Sequence, residues 1–153
     1  MLPRFCRLKV VVPASCRLEE ISIAHSFSVP EIGPMSATGA VNGTEKEWSI
    51  SLDSYSHVAG SITFDLNNAG TIAHEFLVVR TDLTSTALLE SVDATTKRID
   101  EALLDVIDEQ PEYEPGAPGT VTVDLTPGHY VVMCNIEGHY KAGMYADFDV
   151  LAP

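Results

Sequence analysis

Residues 121–150 read VTVDLTPGHYVVMCNIEGHYKAGMYADFDV, and this stretch decides the fold. Val121, Val123 and Leu125 alternate with polar residues, the period-two pattern of a half-buried strand. Thr126-Pro127-Gly128 supplies turn chemistry, and an apolar run from Tyr130 then reaches Cys134. A further strand opens at Met144 and continues through Phe148 and Val150. The segment from Cys134 to Met144 is therefore a loop between two strands.

The same alternation recurs upstream. Trp48, Ile50 and Leu52 are interleaved with Ser49, Ser51 and Asp53, and Ile62, Phe64 and Leu66 repeat the pattern. Asn67-Asn68-Ala69-Gly70 ends that strand, and residues 76–79 form another apolar run of strand length. Between Leu83 and Pro111 the period changes: Ile99, Ala102, Leu103, Val106 and Ile107 fall at i, i+3, i+4, i+7 and i+8. This spacing predicts a short amphipathic helix stopped by Pro111, lying on the side of a sheet and closing off one edge. The expected architecture is an all-β, antiparallel β-sandwich with one helical excursion, its two sheets enclosing Trp48 and most of the Phe residues.

With 153 residues, 45% of them hydrophobic and 20% charged, the chain supports one packed domain without disulfide support. Residues 45–153 are read as that domain. Residues 1–44 are read as an irregular leader and a flexible tether, because residues 21–44 are rich in Ser, Pro, Gly and Ala without a period. Arg4, Arg7 and Lys9 resemble the basic start of an export signal, but the apolar run Val10-Val11-Val12 is too short for one. Cys16, after Ala14 and Ser15, leaves lipid attachment to a membrane open without showing it. Cys6 and Cys16 remain open between a mutual disulfide and incidental thiols, and three cysteines so placed are no disulfide framework.

Nine Lys and Arg against 22 Asp and Glu give a formal charge of −13. A field of that sign repels phosphates, which excludes nucleic acid as a partner, and it would steer a basic protein toward the surface.

The chemistry concentrates in Cys134-Asn-Ile-Glu-Gly-His139-Tyr-Lys-Ala-Gly-Met144, where four residues separate each pair of candidate donors. Such a loop can face a thiolate, an imidazole and a thioether to one point, with Gly138 and Gly143 allowing the tight backbone. His74, just after the 67–70 turn, supplies a second imidazole from a strand that can lie beside the one ending in Cys134. Two imidazoles and a thiolate with a weak thioether select copper for electron transfer. Structural zinc takes four strong ligands, and catalytic zinc does not use methionine. The expected metal ligands are His74, Cys134, His139 and Met144, with one copper ion per chain. His129, beside a Pro-Gly turn, and His25 and His57 are not expected to be ligands.

These motifs carry a resemblance. Asn68-Ala-Gly-Thr-Ile-Ala-His74 and Gly128-His-Tyr-Val-Val-Met-Cys134 through Gly143-Met144 resemble the cupredoxin family, and the loop spacing is similar to that of rusticyanin, auracyanin and sulfocyanin-like members. The resemblance covers residues 48–150. It implies a Greek-key sandwich, a type 1 copper centre cycling between Cu(I) and Cu(II), one-electron transfer between redox proteins, and an extracytoplasmic setting such as the periplasm. It also implies that His139, at a loop tip, is the electron's exit. Tyr140 is read either as part of a docking surface or as a packing residue.

The sequence departs from the family at two positions: Glu75 follows the first histidine where Asn is common, and Asn135 follows the cysteine where Ser or Thr is common. A hydrogen bond from the Asn135 amide to the Glu75 carboxylate is the expected replacement, tying the His74 segment to the loop. No nucleophile–base pairing is present, so an enzyme is not expected. A copper carrier or storage protein is the alternative function, though the four Met residues form no cluster. A metal-free binding module would not retain all four donor types. A monomer is expected.

Overall fold

In the computed structural model of the chain the described residues are 39–153. The readings of Cys6, Cys16, His25, the basic leader and most of the tether lie outside them. The strands are β1 (Ala40–Lys46), β2 (Ser49–Leu52), β3 (Ser56–Val58), β4 (Gly60–Asn68) and β5 (His74–Arg80). They are followed by β6 (Asp105–Tyr113), β7 (Pro118–Leu125), β8 (Gly128–Met133) and β9 (Tyr145–Leu151), with a four-residue helix α1 (His139–Ala142) before the last. One sheet has the order β2-β1-β4-β7 and the other β3-β9-β8-β5-β6. Most neighbours are antiparallel, but β1 pairs parallel with β4 and β3 parallel with β9, so both sheets are mixed.

Alternation builds the core between the sheets. Ile62, Phe64, Val121 and Val123 point inward from the first sheet, and Phe76, Val132 and Phe148 from the second, all at most 5% exposed. Phe64 ties the layers together, its ring centroid 5.3 Å from those of both Phe76 and Phe148. Burying each such ring contributes about 1.5–3 kcal/mol.

The structure corrects three expectations. β1 starts at Ala40, so residues 40–44 belong to the sheet and not to a tether. Trp48 is outside the core and 49% exposed, because β1 and β2 form a hairpin whose turn is Glu47-Trp48, while Ile50 and Leu52 are buried as expected. The amphipathic helix is absent. Residues 83–104 instead contain two 3-10 turns, Ala87–Ser91 and Glu101–Leu103, and Val106 and Ile107 belong to β6. The Asp100 side chain accepts from the Ala102 backbone N–H, and Leu104 then turns extended. From there β-branched residues favour pairing with β5, and Pro111 is tolerated because β6 is an edge strand. Leu103 is left 78% exposed, while Leu88 and Ile99 pack on the outer face of the second sheet against Leu77, Val79 and Met133. The excursion covers that face, as a helix was expected to do, by irregular backbone.

Glu45 is an unexpected core residue. It is fully buried at the inward end of β1, with Oε2 accepting from the Tyr113 hydroxyl and Oε1 unpartnered. Burial pushes its carboxyl from 4.5 up to about 8, against the lowering effect of the Tyr113 hydrogen bond and helped by the nearby Glu75 charge. The folded state therefore keeps a proton that the unfolded chain has lost. The stabilisation is complete below pH 4.5 and is lost as the pH rises to about 8. Denaturant unfolding of the apo-protein is expected to show stability falling across this window at up to ~1.4 kcal/mol per pH unit. Glu45→Gln should flatten the slope; an unchanged slope would assign it to other groups.

Candidate metal centre

The site lies at one end of the inter-sheet core. His74 begins β5, and its side chain shares the inward parity of Phe76. The pairing of β5 with β6 slips here: His74 faces Tyr113 and Phe76 faces Gln110, so Pro111 and Glu112 stand opposite Glu75. Such bulges re-aim side chains at functional sites. Cys134 follows β8 with the inward parity of Val132, and Met144 precedes β9; both are fully buried in the same cluster.

The loop between them closes on itself. The Cys134 N–H donates to the Met144 carbonyl at 3.0 Å, and the Met144 N–H donates to the His139 carbonyl at 3.2 Å. Gly138 at φ +82° and Gly143 at φ +121° flank α1, as the tight backbone requires. At Gly143 a side chain would also be crowded, since a Cβ would lie 3.0 Å from the Trp48 carbonyl oxygen.

This backbone brings three donor atoms together. His74 Nδ1 lies 3.3 Å from His139 Nδ1, which lies 3.3 Å from Cys134 Sγ, and all three fall within 4.8 Å of one another. A metal bound at about 2.0–2.3 Å to two imidazoles and a thiolate in a trigonal plane sets its donors roughly 3.5 Å apart, so the spacing fits. Burial pushes the Cys134 thiol up to about 12, and only a bound cation would hold a thiolate in so dry a place. Burial also lowers both imidazoles, helped at His74 by His139 and at His139 by Arg98, which keeps them in the neutral form that ligates. Among the described residues no carboxylate joins this group, and the other soft donor in the buried cluster is Met144. Soft sulfur and imidazole without hard oxygen fit copper.

The surroundings differ in part from the sequence reading. His139 is only 6% exposed, and the edge expected to face solvent is covered by Trp48, whose ring stands T-shaped to it at 5.2 Å. Tyr140 is a packing residue: it is fully buried, and its hydroxyl donates to the Ser85 carbonyl at 2.5 Å. His129 lies apart from the donors, with Nε2 3.1 Å from Asp147 Oδ1. Glu75 is 8% exposed and does tie the His74 segment to the loop, but its Oε1 accepts from the Asn135 backbone N–H at 2.9 Å. The Asn135 side chain is otherwise engaged, donating to the Ile99 carbonyl and Glu101 Oε1 and accepting from the Ile99 N–H. Asn135 thus fastens the covering segment to the loop, a role invisible from its neighbours in sequence.

A mostly antiparallel sandwich with two imidazoles and a thiol converging at its end defines a cupredoxin, the blue-copper class. The sequence matches the sulfocyanin (SoxE) domain over residues 31–152, and the chain belongs to that family. Membership of the class brings its cofactor, one copper ion, and its role, single-electron transfer and not enzymatic catalysis.

Solved structures agree on the fold. A dithionite-reduced auracyanin from Roseiflexus castenholzii superposes with a TM-score of 0.56 at 22% identity, covering 75% of this chain and 98% of that one. Auracyanin B gives 0.56 at 22% identity, over 73% and 88% of the two chains. Auracyanin A of Chloroflexus aurantiacus, described as a blue copper protein, gives 0.51 at 19% identity, over 73% and 98%. No curated protein sequence matches the chain.

Removing the Glu75 acceptor strands the buried Asn135 N–H, so Glu75→Ala is expected to cost about 1–3 kcal/mol in equilibrium unfolding. Glu75→Gln, which keeps an acceptor, should cost less, and it should raise the reduction potential because a carboxylate this close favours Cu(II). A lowered or unchanged potential would deny Glu75 any electrostatic influence on the metal.

Proposed function

We propose that this chain carries single electrons between redox proteins through a type 1 copper ion held by His74, Cys134, His139 and Met144. The convergence of the three Nδ1 and Sγ atoms within 4.8 Å, in a site assembled by the fold, carries this reading. Copper supplies the one-electron couple, and the chain supplies a rigid, dry enclosure in which little has to move when the charge changes. His74 and Cys134 are anchored to neighbouring strands of one sheet, and the loop hydrogen bonds hold His139 and Met144 in place. The electron's route to the surface runs over His139 and the half-exposed Trp48 ring that covers it.

The partners we infer are redox proteins, basic at their contact face, docking onto a monomer. The net charge of −13 supports this, as do Asp105, Asp108, Glu109 and Glu112, exposed along edge strand β6. We place the protein outside the cytoplasm, in the periplasm or on the outer face of the cytoplasmic membrane, by analogy with its class. Among the described residues no helix is long and apolar enough to cross a membrane.

One equivalent of Cu(II) added to the apo-protein should produce an intense visible band and a small copper hyperfine splitting. Cys134→Ser should abolish both, and Met144→Leu should keep the colour while moving the potential. A colourless protein that holds Cu(I) alone would favour copper carriage or storage instead. Oxidation of the Cu(I) protein should be faster with a cationic than with an anionic reagent of equal potential, and the preference should fade with added salt. Equal rates at low salt would remove the charge argument for a basic partner.

A further inference from the structure

The turn between β1 and β2 holds a carboxylate on the far side of Gly70 from the second nitrogen of His74. His74 is fully buried, and its Nε2 has no hydrogen-bond partner, although its Nδ1 faces His139. What lies beyond Nε2 is set by Gly70. A Cβ on Gly70 would sit 2.8 Å from His74 Nε2, 2.8 Å from Glu47 Oε1 and 3.1 Å from Asn68 Oδ1, so three polar atoms converge on the space that the missing side chain leaves. The Asn68 amide is oriented by its partners: Nδ2 donates to the Ile72 and Tyr113 carbonyls, and Oδ1 accepts from the Gly70 N–H. The two side-chain atoms that share this space with Nε2 are therefore both acceptors. An imidazole in that position places its proton on Nε2 and leaves the Nδ1 lone pair bare.

Glu47 is fixed in place. Its Oε1 accepts from the Thr71 N–H at 2.6 Å, the Thr71 hydroxyl at 3.1 Å and the Ile72 N–H at 3.1 Å. These bonds hold the carboxyl down at about 2, so it stays charged through any ordinary working range, and its field reaches both His74 and His139.

We propose that Glu47 is the positioning residue of His74: its fixed carboxylate, facing Nε2–H across Gly70, selects the tautomer that offers Nδ1 to copper and biases the couple toward Cu(II). This rests on the copper reading above. A carboxylate behind a ligating imidazole raises the basicity of the ligand, and the more highly charged metal state gains more from it. The same carboxylate also fastens residues 71–72, so the two roles must be separated.

Glu47→Gln separates them, because its side-chain carbonyl can still accept from Thr71 and Ile72 while the charge is gone. Redox titration of the copper-loaded Glu47→Gln protein should keep the blue colour and show the Cu(II)/Cu(I) equilibrium moved tenfold toward Cu(I), a rise of about 59 mV. Nitrogen-15 NMR of the wild-type apo-protein should find the His74 proton on Nε2, and Glu47→Gln should populate the Nδ1–H form. An unmoved or lowered potential in Glu47→Gln, with a shift only in Glu47→Ala, would reduce Glu47 to a loop tether and overturn the proposal. A His74 proton on Nδ1 in the wild type would also overturn it. If the wild type forms no blue site, the copper reading fails by itself, and the apo-protein tautomer still decides the role of Glu47.

Discussion

Everything at the metal end depends on one constraint: two imidazoles and a thiol are packed against each other where water does not reach. Each of these groups would be better solvated outside, and burial disfavours every charged form. The fold offsets that cost through the rest of the sandwich, with aromatic contacts between the layers and a covering segment that seals the outer face of the second sheet. What it gains is a set of donors already at bonding distance from a common point. Binding then needs little rearrangement, and the same holds for a change of oxidation state.

The strands were legible wherever one face is wet and the other dry, as at Ile62–Phe64–Leu66 and Val121–Val123–Leu125. The donor loop was legible because sulfur and imidazole at fixed spacing carry chemistry that composition alone does not. The failures have physical causes. Residues 99–107 match a helical period by coincidence, and the open edge of β5 claims Val106 for strand pairing, with Ile107 at a register shift in the same strand. Trp48 continues the alternation of Ile50 and Leu52, but a two-residue hairpin turn carries it out of the strand. Burial at Val41, Gly43 and Glu45 does alternate, yet a glycine and a glutamate at inward positions conceal the signal.

The residues around the donors were the least visible. Glu47 reaches the segment before His74 only because β1 lies beside β4 in parallel, which sets the β1–β2 turn next to the loop that follows β4. Asn135 stands out in the sequence as a departure, but its partners Ile99 and Glu101 lie in a segment whose path the sequence does not disclose. The tie between Glu75 and the loop joins the expected residues through a different donor, since backbone N–H groups leave no trace in a residue pattern.

The donors and the groups that cover them come from opposite layers. His74, Cys134 and His139, with Met144 nearby, belong to β5 and the β8–β9 connection of the five-stranded sheet, whereas Glu47 and Trp48 belong to a hairpin of the four-stranded one. The hairpin closes over the donors like a clasp, with the Trp48 carbonyl against Gly143 and the Trp48 ring against His139. An ion seated there would be covered by the opposite layer, and parting of the two layers at that end would give it a way out. Its residence time is then governed by local opening of the scaffold as well as by the strength of the bonds that hold it, and a substitution far from any donor can change how long the protein keeps its metal.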